Sequence, residues 1–118
     1  MAIAITTPAC GSFGFFICAG SADVTACETL KAAPGTGKAI YVDYLRINST
    51  SAIAITIGEG AAAGTIDTIL IGPVAFSALL TLDWAFLNGG MKLTDNCLLL
   101  IDADGAGVVN VFASGKVK

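Results

Sequence analysis

Lys38-Ala39-Ile40-Tyr41-Val42-Asp43-Tyr44-Leu45-Arg46-Ile47-Asn48 decides the fold class of this chain. Its β-branched and aromatic residues recur at a spacing of two, the period at which side chains leave opposite faces of a strand. Ile40, Val42, Tyr44 and Arg46 are expected on one face, and Tyr41, Asp43, Leu45 and Ile47 on the other. Neither set is wholly polar, so both faces should be partly covered, as in a layered β structure.

The residues just before this strand, Ala33-Pro34-Gly35-Thr36-Gly37-Lys38, imitate the end of a phosphate-binding loop. A working loop of that kind needs a first glycine at 32, a Ser or Thr at 39 to hold magnesium, and a helix next. Positions 32 and 39 are both alanine, and the lysine opens a strand instead of a helix. The glycines are therefore expected to shape a turn between strands, and nucleotide binding is excluded.

The same strand grammar runs through the rest of the chain. Ala2–Thr7, Phe13–Ala19, Asp23–Lys31, Ala52–Ile57, Ile66–Ile71, Val74–Leu80, Thr81–Leu87, Asn96–Ala103 and Val108–Ala113 are short apolar or alternating runs. Gly, Pro, Asn and Asp punctuate them. Gly58–Thr65 reads as a flexible loop and Ala75–Leu80 as a turn of helix at most. The last two runs, joined by Asp104-Gly105-Ala106-Gly107, read as a terminal hairpin. The fold expected is all-β: a jelly-roll-like β-sandwich of about eight short antiparallel strands.

Composition agrees with one such domain over 1–118. Of the 118 residues, 55% are hydrophobic and 13% charged, enough to build a core and few enough charges to leave an apolar surface. Such surfaces are commonly covered by association, so a homo-oligomer is expected. The net charge of −3, with Lys31, Lys38, Arg46, Lys92, Lys116 and Lys118 scattered, excludes a nucleic-acid partner. Mean hydropathy is high, yet no uninterrupted apolar run reaches the roughly 18 residues of a membrane span. The start lacks the basic n-region of a secretory signal, so synthesis in a cytoplasm is expected.

Chemistry-bearing constellations are sparse. There is no histidine, and Cys10, Cys18, Cys27 and Cys97 form no CxxC pair, so neither a zinc site nor a disulfide framework is expected. Asp102-Ala103-Asp104-Gly105 opens like a calcium loop, but the later ligand positions, 106 and 113, are alanine. Ser77 and Cys97 have no visible base beside them. No catalytic residue, cofactor or metal is therefore expected. Asn48-Ser49-Thr50 fits a glycosylation sequon, read as chance without a secretory signal. Phe76, Trp84 and Phe86, in the nearly uncharged run Val74–Leu87, read as core, as a subunit interface or as a ligand-stacking platform.

From about Leu30 to Lys118, some three-quarters of the chain, the sequence resembles a family of small phage virion proteins and their prophage-encoded relatives. The landmarks are Ala32-Ala33-Pro34-Gly35-Thr36-Gly37-Lys38, Ile40–Leu45, Ser49–Gly58, Gly72-Pro73, Trp84–Gly90 and Leu98–Phe112. Residues 32–118 carry the match; the strands within 1–31 do not share it. The resemblance implies a jelly-roll protein of the head decoration or cement type, located in the virion. It implies a homotrimer seated on the major capsid protein, but no site; the contact candidates to an oligomer or partner, Phe76, Leu79, Trp84 and Phe86, come from the apolar run Val74–Leu87 itself. A receptor- or carbohydrate-binding knob of a tail or fibre is the alternative, with Trp84, Asp83 and Asn88 as its sugar-site candidates.

Overall fold

The structure, a computed structural model, describes the backbone of residues 4–6 and 15–23 and the whole of residues 26–118. The described residues form ten strands: β1 (Ala4–Thr6), β2 (Phe15–Asp23), β3 (Glu28–Lys31), β4 (Ile40–Ser49), β5 (Ala54–Gly60), β6 (Thr68–Ala75), β7 (Leu80–Ala85), β8 (Met91–Lys92), β9 (Leu98–Ala103) and β10 (Val108–Val117). One antiparallel sheet has the order β1-β2-β10-β4-β7, with β8 also on β4, and the other β3-β9-β5-β6. Strand β2 pairs β10, β3 pairs β9, β4 pairs β7 and β5 pairs β6. This nesting is a long hairpin rolled upon itself, with the ribbon's strands alternating between the two sheets. The fold is the jelly-roll β-sandwich that the strand pattern predicts, built on eight strands with β1 and β8 as additions.

The core lies between the sheets. β4 supplies Ile40, Val42, Leu45 and Ile47, and β10 supplies Val109, Val111 and Ala113. From the facing sheet come Ile55, Ile57, Leu99, Ile101 and Leu30. The spacing within β4 corrects the faces expected from strict alternation. Ile40 and Val42 point inward, but so do Leu45 and Ile47, while Tyr44 and Arg46 point out. The cause is a β-bulge: Ser114 pairs with Tyr44 and Gly115 with Val42, leaving Asp43 without a partner on β10. One extra residue reverses the phase of the strand, so every β-branched or leucine position reaches the core. Asp43 is held by other means. Its carbonyl accepts from the Phe86 N–H at 2.9 Å, and its carboxylate lies 3.6 Å from the Lys116 ammonium. Gly90 closes over it; a side chain there would begin 2.8 Å from the Asp43 carboxylate and the Val42 carbonyl.

The run Leu98–Ile101 has no polar face because the second sheet is covered on both sides. Leu99 and Ile101 enter the core, while Leu100, also fully buried, lies on the outer face beneath the segment 61–67. Gly58 and Gly60 make that cover possible, since a Cβ on either would collide with Ile66 or with the Thr65 carbonyl. Gly58–Gly60 therefore belong to β5, not to the flexible loop expected from Gly58–Thr65; the loop starts later.

Other expectations need correction. The terminal pair, β9 and β10, is not a hairpin: the strands lie in opposite sheets, and Asp104–Gly107 crosses between them. Of Ile66–Ile71 and Val74–Leu80, 68–71 and 74–75 form one strand, β6, which carries Gly72-Pro73 as a bulge against β5; Leu80 opens β7, and the rest is not strand. The expected strand Asp23–Lys31 shortens to Glu28–Lys31, with Val24 and Thr25 outside the described residues. Ala75–Leu80 contains a turn closed by the Leu80 N–H on the Ser77 carbonyl, with no helix. Among the described residues no helix is long and apolar enough to cross a membrane.

Candidate functional site

The jelly-roll course gathers alternate loops at the same end of the sandwich. At one end lie 50–53, between β4 and β5, 76–79, between β6 and β7, and 104–107, between β9 and β10. Short bonds knit them together. The Phe76 N–H donates to the Ile53 carbonyl, the Thr50 N–H and hydroxyl to the Val108 carbonyl, and the Ala54 N–H to the Asp104 carboxylate. Buried Ser49 donates its hydroxyl to the Ser51 carbonyl at 2.6 Å. Asp104 is the single charge in the three loops; Ala52, Ala78, Ala106 and the adjoining Val108 are exposed.

Leu79 stands out at this end. It is 77% exposed and holds φ at 61°, a left-handed conformation that a bulky side chain rarely adopts. It occupies the third position of the Ser77–Leu80 turn, where a positive φ ordinarily calls for Gly or Asn. The side chain is thus projected into water by a locally strained backbone.

The other expected contact residues do not join it. Phe76 is 4% exposed and sits in the core, while Trp84 and Phe86 are half-buried and pack against the core from the β7 side. Trp84 pairs with Leu45 and points inward, so it forms no platform with Asp83 and Asn88. The exposed aromatic pair lies elsewhere, on the outer face of the first sheet. Tyr44 and Phe112 meet edge to face at 6.2 Å, Arg46 lies 5.7 Å over the Tyr44 ring, and the Tyr44 hydroxyl donates to Asp83 at 2.8 Å. Beside them Asn110 donates to Asn48, and Asn48 to Thr81. The signal for Phe112 lies in Val108–Ala113: with Val109, Val111 and Ala113 inward, Val108, Asn110 and Phe112 must face out.

The motifs that imitate ligand sites have structural roles. Gly35 and Gly37 take positive φ in the turn before β4, and the Asn96 side chain accepts from the Gly35 N–H while its own N–H donates to the Lys38 carbonyl. Asp102 and Asp104 line a shallow depression with Ala54, Thr56 and Pro73. Each carboxylate accepts a backbone N–H, from Ala103 and Ala54 respectively, so both are engaged in shaping the chain. No group of side chains able to hold a metal occurs among the described residues.

Cys27 and Cys97 are half-buried free thiols; the side chains of Cys10 and Cys18 lie outside the described residues. Burial raises the Cys27 thiol above its usual 9.0, helped by Asp102 and Glu28. Burial likewise raises Cys97, with Glu59, Asp67 and Asp95 adding to it. A raised value leaves less of each thiol as the nucleophilic thiolate near neutral pH.

Comparison with family models, curated proteins and solved structures finds no match for this chain.

Proposed function

We propose that this protein is a non-enzymatic structural component of a phage particle, seating its neutral loop end on the major capsid protein. The observation that carries the reading is Leu79. A strained, exposed leucine gains nothing from water, and backbone strain of this kind persists where the surroundings use it. An apolar pocket on a partner would use it, with Ala52, Ala78, Ala106 and Val108 forming the rim. Attachment then draws on apolar burial, at about 25 cal/mol per Å², and on the many copies a lattice engages at once. Detachment should respond weakly to salt, because the end offers no set of charges to screen.

The test is binding to purified particles of the encoding phage. The wild-type chain should co-sediment with them and be found by mass spectrometry of the virion, and Leu79→Asp should abolish co-sedimentation while the fold persists. Absence of the chain from the particles, or its release by moderate salt, would sink the reading.

A second reading, a carbohydrate-binding knob, is favoured by the outer face of the first sheet. Tyr44 and Phe112 offer ring surface beside Arg46, Asp83 and Asn110, the mixture of apolar faces and hydrogen-bonding groups that suits a neutral sugar. Glycan-array binding lost in Phe112→Ala and kept in Leu79→Asp would favour it over capsid docking.

A further inference from the structure

A sheet edge is a row of unpaired backbone N–H and C=O groups, and folded proteins blunt such rows with brevity, charge, bulges or proline. The two sheets end on β1, β7, β3 and β6, with the two-residue β8 continuing the β7 edge along β4. β1 has only three residues. β3 carries Glu28 and Lys31, and its register with β9 slips between Thr29 and Lys31. β6 contains Pro73, and its register with β5 slips twice. β7 is neither very short nor bulged nor interrupted by proline, and the charge it carries is engaged within the chain. Its six residues pair with β4 without a shift and include no proline, glycine, lysine or arginine. Its one charge, Asp83, accepts from the Tyr44 hydroxyl. Among the described residues no strand lies on its far side.

The ladder fixes which groups are offered on that side. The Phe86 N–H donates to Asp43 of β4, just beyond the Tyr44–Ala85 pair. Alternate residues of an antiparallel strand turn their backbone groups to opposite sides. Leu82 and Trp84 therefore bond β4, and Thr81, Asp83 and Ala85 present N–H and C=O to the open edge. On the inner face Leu80, Leu82 and Trp84 are only half-buried against the core.

We propose that β7 pairs antiparallel with β7 of a second copy, joining their first sheets across a two-fold axis. Directly opposed residues share a face, so inward residues must oppose inward ones. Two central registers satisfy this. One sets Asp83 against Asp83, and like charges so placed destabilise. The other sets Leu82 against Leu82, Leu80 against Trp84 and Thr81 against Asp83. There the Thr81 and Asp83 backbones exchange hydrogen bonds, each carboxylate faces a hydroxyl, and the half-buried apolar residues cover one another. The second register is the one assigned. Pairing of this kind closes after two copies, in place of the trimer implied by the resemblance. It points the two loop ends in opposite directions and does not depend on what they bind.

Sedimentation velocity of the full chain over a concentration series tests the pairing. The wild type should reach a dimer. Thr81→Asp, which sets a new carboxylate against Asp83 of the second copy, should weaken it about tenfold, and Thr81→Lys should tighten it by a similar factor. Thr81→Pro removes an N–H from the open edge only and should also weaken the dimer, with circular dichroism confirming that each variant folds. A monomer at every concentration, a trimer, or charge variants that shift association in the same direction would overturn the proposal. So would a monomer whose capture by particles is lost in Thr81→Pro, which would assign the edge to a strand of the lattice protein.

Discussion

The two ends of the sandwich are built from the same kind of connection and held by different chemistry. At the end formed by 50–53, 76–79 and 104–107, backbone bonds, the Ser49 and Thr50 hydroxyls and the Asp104 carboxylate close the loops, and Asp104 is the lone charge. At the opposite end, 32–39, 61–67 and 86–97 carry Lys38, Asp67, Lys92 and Asp95 and are tied to the strands by side chains. Asn96 clasps the turn before β4, the Ala39 and Lys118 backbones bond each other, and Glu59 anchors Thr94. Glu59 is the one buried charge among the described residues, 6% exposed. Its carboxylate accepts from the Thr94 N–H at 2.6 Å and from the Thr94 hydroxyl at 2.7 Å. Both ends expose a leucine, Leu79 at one and Leu87 at the other, but one end buries a carboxylate as an anchor while the other holds Leu79 in a strained backbone.

Removing the Glu59 anchor should have the largest effect. Glu59→Ala deletes two charge-assisted bonds and should lower stability by about 2 kcal/mol, read as a reduced urea midpoint with unchanged slope. An unchanged midpoint would mean that water replaces the carboxylate without loss. At the apolar end the sign should reverse. Leu79→Asn places a residue that tolerates the left-handed region in the same turn and should stabilise the chain by about 1 kcal/mol. A destabilised Leu79→Asn chain would show that the leucine contributes packing instead of bearing strain.

The smallest effect concerns pH and belongs to the charged end. The Cys97 thiol is raised by burial and by Glu59, Asp67 and Asp95, so the folded chain holds its proton more tightly than the unfolded one. Its contribution is fully present below the usual value of 9.0 and is lost as pH rises through the higher folded value. Stability should therefore decline above about pH 9 more steeply in the wild type than in Cys97→Ser, as followed by thermal melts. Equal slopes would remove the thiol from the account.

Much of the fold is legible because it is local. Alternation in Lys38–Asn48 and in Val108–Ala113 marks both long strands of the first sheet, and Asn88-Gly89-Gly90 marks the turn that Gly90 closes. The contact residues are harder. Leu79, Phe76, Trp84 and Phe86 all lie in one apolar run, and nothing local separates a residue that fills the core from one at a loop tip. Strict alternation places Tyr44 wrongly on the side of Ile40, since a bulge changes phase without changing composition.

The all-β class, and the turn and strand that follow Gly35 and Gly37 in place of a helix, could be read from the sequence alone, because period and turn chemistry act within a few residues. The assembled fold alone shows that β9 and β10 part into opposite sheets, that Asp43 bulges, that Glu59 is buried and that no described strand covers β7. Those outcomes depend on which distant strands become neighbours, and pairing across many residues is set by the burial of the whole core rather than by any one stretch.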